Sequence, residues 1–154
     1  MLGKDYEGQV CSISRSLEVV GERWTLLVIR DVLLGRRRFD ELVESLGVTR
    51  TVLSSRLRTL VDESILERRA YQERPARFEY DLTDKGRDLL PVIAHLMWWG
   101  DRHYPEPAGP PRVLRHRGCG GDVEHDFTCG RCHEALAGGD VVAEPGPGMA
   151  RRPA

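Results

Sequence analysis

The stretch VTRTVLSSRLRTLVDESI, residues 48–65, decides the fold. At helical period Leu53, Leu57, Leu60 and Val61 fall on one side and face a core, while Thr51, Ser55, Arg58 and Thr59 project the other way. Arg50 and Ser54 stand near the leading end. Residues 49–61 hold three arginines and no acid. An apolar back and a front of Arg, Thr and Ser suit phosphate oxygens and base edges in a DNA major groove. Taken alone, such a helix is more often an ordinary solvated face, so its flanks decide between the two.

Upstream, Phe39 to Leu46 reads as a short helix with Phe39, Leu42, Val43 and Leu46 inward. Gly47-Val48 makes a tight turn and Thr49 caps the next helix, giving a helix-turn-helix. Before it, Trp24 to Leu34 is strongly apolar and forms the expected buried centre; Gly35 ends it and Arg36-Arg37-Arg38 follows as a basic loop. An earlier helix begins with Ser12 as cap, shares Ile13, Leu17 and Val20 on one face, and stops at Gly21 as its C′ residue. Residues 1–10 form a polar arm.

Downstream the period changes to two. Residues 66–71 and 78–82 read as strands of an antiparallel hairpin, with Pro75 in the link and Arg74 and Arg77 at its tip. This is a wing, and a basic tip fits a phosphate or minor-groove contact. Thr83 then caps one long helix, 84–104, kinked near Pro91, with Leu89, Leu90, Ile93, Leu96, Met97 and Trp98 or Trp99 in its stripe. That stripe serves either intramolecular packing or a homodimer seam. Pro105 to Pro111 is a stiff linker. The Gly/Pro-rich residues 137–154 are expected to be disordered.

The 154 residues and a formal net charge of −1 bound one main domain with an appendage and no global basic field. Charge is instead local: Arg68, Arg69, Arg74 and Arg77 stand against Glu73 alone in residues 68–77. Hydrophobic content of 40% with 6% aromatics fits a mainly α domain with a small core. No apolar run approaches the roughly 20 residues of a membrane span, and residues 1–10 lack the apolar core of a signal peptide. A cytoplasmic location is the expectation, in which four cysteines point to metal or redox chemistry rather than disulfides.

From Cys11 to Gly100 the chain resembles the HxlR-type winged helix-turn-helix transcriptional regulators. The matching pieces are Cys11-Ser12-Ile13, residues 21–25 (GERWT), 38–42 (RFDEL), 53–57 (LSSRL), 75–86 (PARFEYDLTDKG) and Trp99-Gly100. The resemblance implies a homodimer formed through the first and last helices and bound to a pseudo-palindromic operator. It departs in one place, with Ser12 where the family usually has proline; both residues suit a helix start. The DNA-contacting residues expected on this reading are Arg50, Thr51, Ser54, Ser55 and Arg58 on the recognition helix, Arg74 and Arg77 on the wing, and Arg38 in the basic loop. Some relatives use a cysteine near Cys11 as a thiol sensor. A helix N-terminus and Arg15 one turn on favour a reactive thiol there, whereas the plain alternative is a small apolar residue at the dimer seam.

A second constellation lies in residues 112–136. His116-x-x-Cys119 and Cys129-x-x-Cys132 have the pairwise spacing of a tetrahedral zinc ribbon or knuckle, with glycine beside each pair. So short a segment cannot build an apolar core, and one zinc ion per chain would account for its folding. His125 and His133 compete with His116 for the fourth position. A Cys129–Cys132 redox pair and unpaired cysteines remain alternatives; c-type haem attachment at the C-x-x-C-H run requires export and is set aside.

The expected architecture is therefore mainly α with a small β-hairpin: a winged helix-turn-helix DNA-binding domain (1–104) with a long C-terminal dimerisation helix, a linker (105–111), a zinc-ribbon-like segment (112–136) and a tail (137–154). The expected function is a DNA-binding regulator, acting as a repressor on double-stranded DNA, with no membrane partner. Alternatives are a thiol- or metal-responsive sensor answering a small-molecule or redox effector, and a protein-interaction adaptor on a winged-helix scaffold. No Ser/His/Asp order or phosphate-binding glycine loop supports an enzyme.

Overall fold

A computed structural model describes Tyr6, residues 11–124 and residues 127–147. They fall into two compact units, residues 1–93 and 94–154, the division lying inside a helix.

The core of the first unit is built around α2 (Thr25–Leu33), whose Val28 and Ile29 are wholly buried. Leu42 and Leu46 of α3 (Phe39–Leu46) and Leu53, Leu57 and Leu60 of α4 (Arg50–Asp62) close on them. Each such leucine contributes about 1.5–3 kcal/mol through its removal from water. Asp31 is also fully buried: its Oδ1 meets Arg30 at 2.7 Å and Arg36 at 3.8 Å, which ties the basic loop to α2.

The turn between α3 and α4 forms as expected. Gly47 takes a left-handed φ of 63° that ends α3, and the Thr49 hydroxyl accepts the Val52 N–H at 3.3 Å to start α4. At the front of α3, one Glu41 carboxylate oxygen accepts the N–H groups of both Arg37 and Arg38 at 3.0 Å.

The wing is longer than its pattern indicated. Strands β1 (Leu66–Glu73) and β2 (Ala76–Leu82) pair antiparallel from Leu66 opposite Leu82 out to Glu73 opposite Ala76, with an irregularity between Ala70 and Gln72. Only Arg74 and Pro75 remain as the turn, so Arg77 is not at the tip but in β2 opposite Gln72. Toward its tip the hairpin is exposed on nearly every side, and residues wet on both faces leave no apolar alternation to read. The loop before α3 joins the sheet as well: Arg38 bridges Glu79, and the Tyr80 N–H donates to the Arg37 carbonyl at 2.8 Å.

Three expectations about helix ends are corrected. In α1 (Ser12–Val20) the cap residue is the extended Cys11, and Ser12 is already helical. Gly21 is right-handed (φ −74°); its Cβ would sit 2.4 Å from the Leu17 carbonyl oxygen, so close approach and not handedness requires glycine there. The single long helix is two: α5 (Asp84–Arg87), capped by the Thr83 hydroxyl, and α6 (Leu90–His103). Pro91 falls in the first turn of α6, where its missing N–H costs nothing, and the chain breaks before it instead of kinking at it. Gly86 is buried so close to the start of β1 that a Cβ would meet the Ile65 carbonyl oxygen at 2.2 Å, which excludes any larger residue there.

On α6 the side chains of Leu90, Val92, Leu96 and Trp99 are exposed, and Trp99 packs on His103 and Tyr104 with ring centroids 5.2 and 5.5 Å apart. Beyond the proline-rich stretch, residues 112–136 contain two isolated β-bridges, Arg115 with Asp122 and Thr128 with Ala135. A short 3-10 turn, Gly138–Asp140, follows. No helix among the described residues is long and apolar enough to cross a membrane.

Candidate nucleic-acid interface

The rows that bury Leu53, Leu57 and Leu60 turn the rest of α4 outward. Arg50, Thr51, Ser54 and Arg58 are exposed, while Ser55 is half-buried and its carbonyl accepts the Thr59 hydroxyl at 3.2 Å. The third arginine of the stretch faces away: Arg56 is mostly covered and pairs with Glu22 at 3.3 Å. Arg50 is held from α3, its guanidinium 2.6 Å from Asp40 and over the Phe39 ring at 5.4 Å. Both partners are well exposed, so the ion pair is worth at most about 1 kcal/mol and yields readily to a phosphate.

Two open clefts gather the expected residues with the wing. One, of about 490 Å³, is lined by Arg38, Arg50 and Arg77 among Phe39, Tyr71 and Phe78. In it Arg38 lies over the Tyr71 ring at 4.8 Å, which fixes a loop arginine against the hairpin. The other, of about 390 Å³, joins Ser54 and Arg58 of α4 to Arg68 and Tyr80 of the sheet. Arg68 stacks over Phe78 at 4.3 Å. Burial pushes the Tyr80 phenol up, with the Arg68 charge and hydrogen bond opposing it. Arg68 lines the candidate site without being among the residues expected there. Its signal was present in the excess of arginine over residues 68–77, but only the fold shows which of the four faces the recognition helix. Arg74 stands exposed at the turn, apart from both clefts.

Cys11 is half-buried at the start of α1. The N–H groups of Ser14 and then Ile13 hold its thiol below the usual range, with Arg15 adding slightly and burial acting against them. In the second unit His116 Nδ1 and Cys119 Sγ approach to 3.2 Å, and the Arg131 N–H points at Cys129 Sγ at 3.5 Å. Backbone N–H groups of Cys132 and Arg131 and the Cys132 side chain lower the Cys129 thiol. Among the described residues no three His, Cys, Asp or Glu side chains converge on one point. His125 lies outside the described residues.

A helix-turn-helix flanked by a two-stranded wing, with arginines gathered between them, defines a winged-helix protein of the DNA-binding type. Residues 19–108 match the HxlR-like helix-turn-helix family, and the chain belongs to it. It is 47% identical over 148 residues to the uncharacterized HTH-type transcriptional regulator Rv3095 of Mycobacterium tuberculosis, covering 96% of this chain and 92% of that one. Among solved structures it is similar to PA1607, a candidate transcription factor (TM-score 0.77, 32% identity, 89% of this chain and 96% of that one). It is also similar to the redox regulator HypR in its oxidized form (TM-score 0.55, 30% identity, 60% and 96%). The family is one of transcriptional regulators, DNA-binding proteins rather than enzymes.

Proposed function

We propose that this protein is a sequence-specific DNA-binding transcriptional regulator of the cytoplasm, acting as a homodimer that represses by occupying a pseudo-palindromic operator. The observation that carries this reading is the outward row Arg50, Thr51, Ser54 and Arg58 on a helix anchored by three buried leucines, flanked by clefts that add Arg38, Arg68 and Arg77. In B-form DNA the exposed row suits the major groove, where Arg58 would pair with guanine and Thr51 and Ser54 would meet phosphate or base edges. Arg74 at the turn reaches the backbone or minor groove beyond.

Support for the homodimer comes from apolar side chains left in water. Ile13 is 69% exposed and Leu17 40% on α1, and Leu96 and Trp99 are 51% and 53% exposed on α6. Large apolar side chains in a row on one helix mark a surface that a partner covers. Two copies would set their recognition helices about 34–36 Å apart, one turn along the groove. Sequencing the genomic DNA that the purified protein retains tests both parts: a two-fold-related motif upstream of genes is expected. Monomeric sedimentation at micromolar concentration, with a palindrome bound no better than a half-site, overturns the dimer.

A second reading, a thiol-responsive regulator, is favoured by the lowered thiol of Cys11 and by the likeness to a redox regulator. Loss of operator binding on treatment with a quinone, abolished by Cys11→Ser, is its expected sign; equal loss in that variant removes Cys11 from the role.

A further inference from the structure

Residues 114–123 and 127–136 are the same backbone unit used twice, thirteen positions apart. In the first, the Val123 N–H donates to the Leu114 carbonyl, Arg115 bridges Asp122, and the His116 N–H donates to the Gly121 carbonyl. In the second, the Leu136 N–H donates to Phe127, Thr128 bridges Ala135, and the Cys129 N–H donates to Glu134. Within each turn a further bond repeats, from Gly120 N–H to the His116 carbonyl and from His133 N–H to the Cys129 carbonyl, at 2.8 and 2.9 Å. Even the left-handed residue recurs, Gly120 at φ 73° and His133 at φ 60°.

The repeat sorts the histidines. His116 and Cys119 of the first unit stand where Cys129 and Cys132 stand in the second, so the two pairs occupy equivalent places at the mouths of equivalent turns. His133 stands where Gly120 stands, at the left-handed position that closes the turn. In the first turn the ligand pair is already convergent, with His116 Nδ1 3.2 Å from Cys119 Sγ. Its glycines fit around it: a Cβ on Gly118 would meet the His116 ring at 3.0 Å, and one on Gly121 would lie 3.4 Å from Cys119 Sγ. In the second turn an N–H points at Cys129 Sγ, the arrangement that steadies a thiolate.

We propose that His116, Cys119, Cys129 and Cys132 are the four ligands of one zinc(II) ion, which draws the two turns together. The donor set, three thiols and one imidazole in two x-x pairs, is that of a closed structural site, without the open position that catalysis needs. Each turn alone is a two-donor half-site: among the described residues no three donors converge, so the ion has to bring the two pairs together. Neither turn has a core of its own: Val113, Val123 and Phe127 are exposed. Ligand closure therefore supplies the folding free energy that burial does not. On binding, the three thiols give up their protons and His116 coordinates as the neutral imidazole.

The test is elemental analysis of the full chain purified without added metal, with Cys132→Ser, His116→Ala and His133→Gly alongside. One equivalent of zinc is expected in the parent and in His133→Gly, with its loss in Cys132→Ser and its weakening in His116→Ala. Cobalt(II) in place of zinc should show thiolate charge transfer and the intense visible bands of a tetrahedral centre. Zinc below about a tenth of an equivalent, with Cys129 and Cys132 freely alkylated, overturns the site. Zinc retained by His116→Ala and lost by His133→Gly overturns the ligand assignment.

Discussion

The helix-turn-helix unit and the Cys/His segment are ordered by opposite means. In the first, Ile29, Leu42, Leu53 and Leu60 are buried to within 1% of their surface, and the polar residues of interest are those the packing turns outward. In the second, among the described residues of 112–136, Leu114, Cys129 and Leu136 are half-buried and the rest exposed, and order comes from a repeated set of backbone hydrogen bonds. A backbone hydrogen bond in water contributes only about 1 kcal/mol net, and a handful of them does not offset the entropy of fixing some two dozen residues. Burial holds the first region by itself, whereas the second rests on turns without burial, which is what the proposed zinc would make good.

That contrast is broken or sharpened most strongly through the core. Leu57→Ala removes a 1% exposed side chain from the back of α4 and should cost about 2–5 kcal/mol. Calorimetry should show the transition of the first unit fall sharply, while zinc content measured in the same sample stays unchanged; loss of both together would mean that the two regions fold as one.

Glu41→Gln is expected to be milder. It weakens the acceptor that holds the Arg37 and Arg38 N–H groups and should cost about 1 kcal/mol. Those N–H groups, Arg38 first, hold the Glu41 carboxyl below its usual range. A lowered folded value means that the stabilisation is present above the unfolded value near ~4.3 and disappears as pH falls through the folded one. Denaturation at a series of pH values should therefore show the gap between parent and variant close in acid; a gap that widens would reverse the assignment.

Smallest in energy is the wing tip. Arg74→Ala should leave thermal stability unchanged and flatten the slope of log binding constant against log salt by about one unit. The same slope for variant and parent takes the tip out of the interface.

Much of this was legible in the sequence because apolar period reports burial. The leucines at 53, 57 and 60 announce which side of α4 is hidden, and by difference which side is offered. Thr49 and Gly47 were legible for a different reason, since a cap and a left-handed turn have few residues that serve. What stayed hidden carries no period. Beyond Tyr71 the hairpin has no regular alternation of buried and exposed positions, so its strand ends read as a loop and Arg77 reads as a tip residue, a place it does not occupy. The bridge from Arg38 to Glu79 joins residues 41 positions apart through a single pair, too short for any pattern. Arg68 could not be singled out among the arginines of residues 68–77, because its place beside α4 depends on how the strand lies against the helix and on its stacking over Phe78. The thirteen-residue repeat is nearly silent in side chains, His-Arg-Gly-Cys-Gly against Cys-Gly-Arg-Cys-His, and becomes plain only in its hydrogen bonds.

The central claim, that the outward face of α4 reads DNA sequence, is tested most directly by titrating the parent and Arg58→Ala against the recovered operator and against random duplex at one fixed salt concentration. The expected result is a loss of about 1–3 kcal/mol on the operator, relaxed preference at one base position of each half-site, and little change on random DNA. Equal losses on both duplexes would contradict it and leave Arg58 as a phosphate contact.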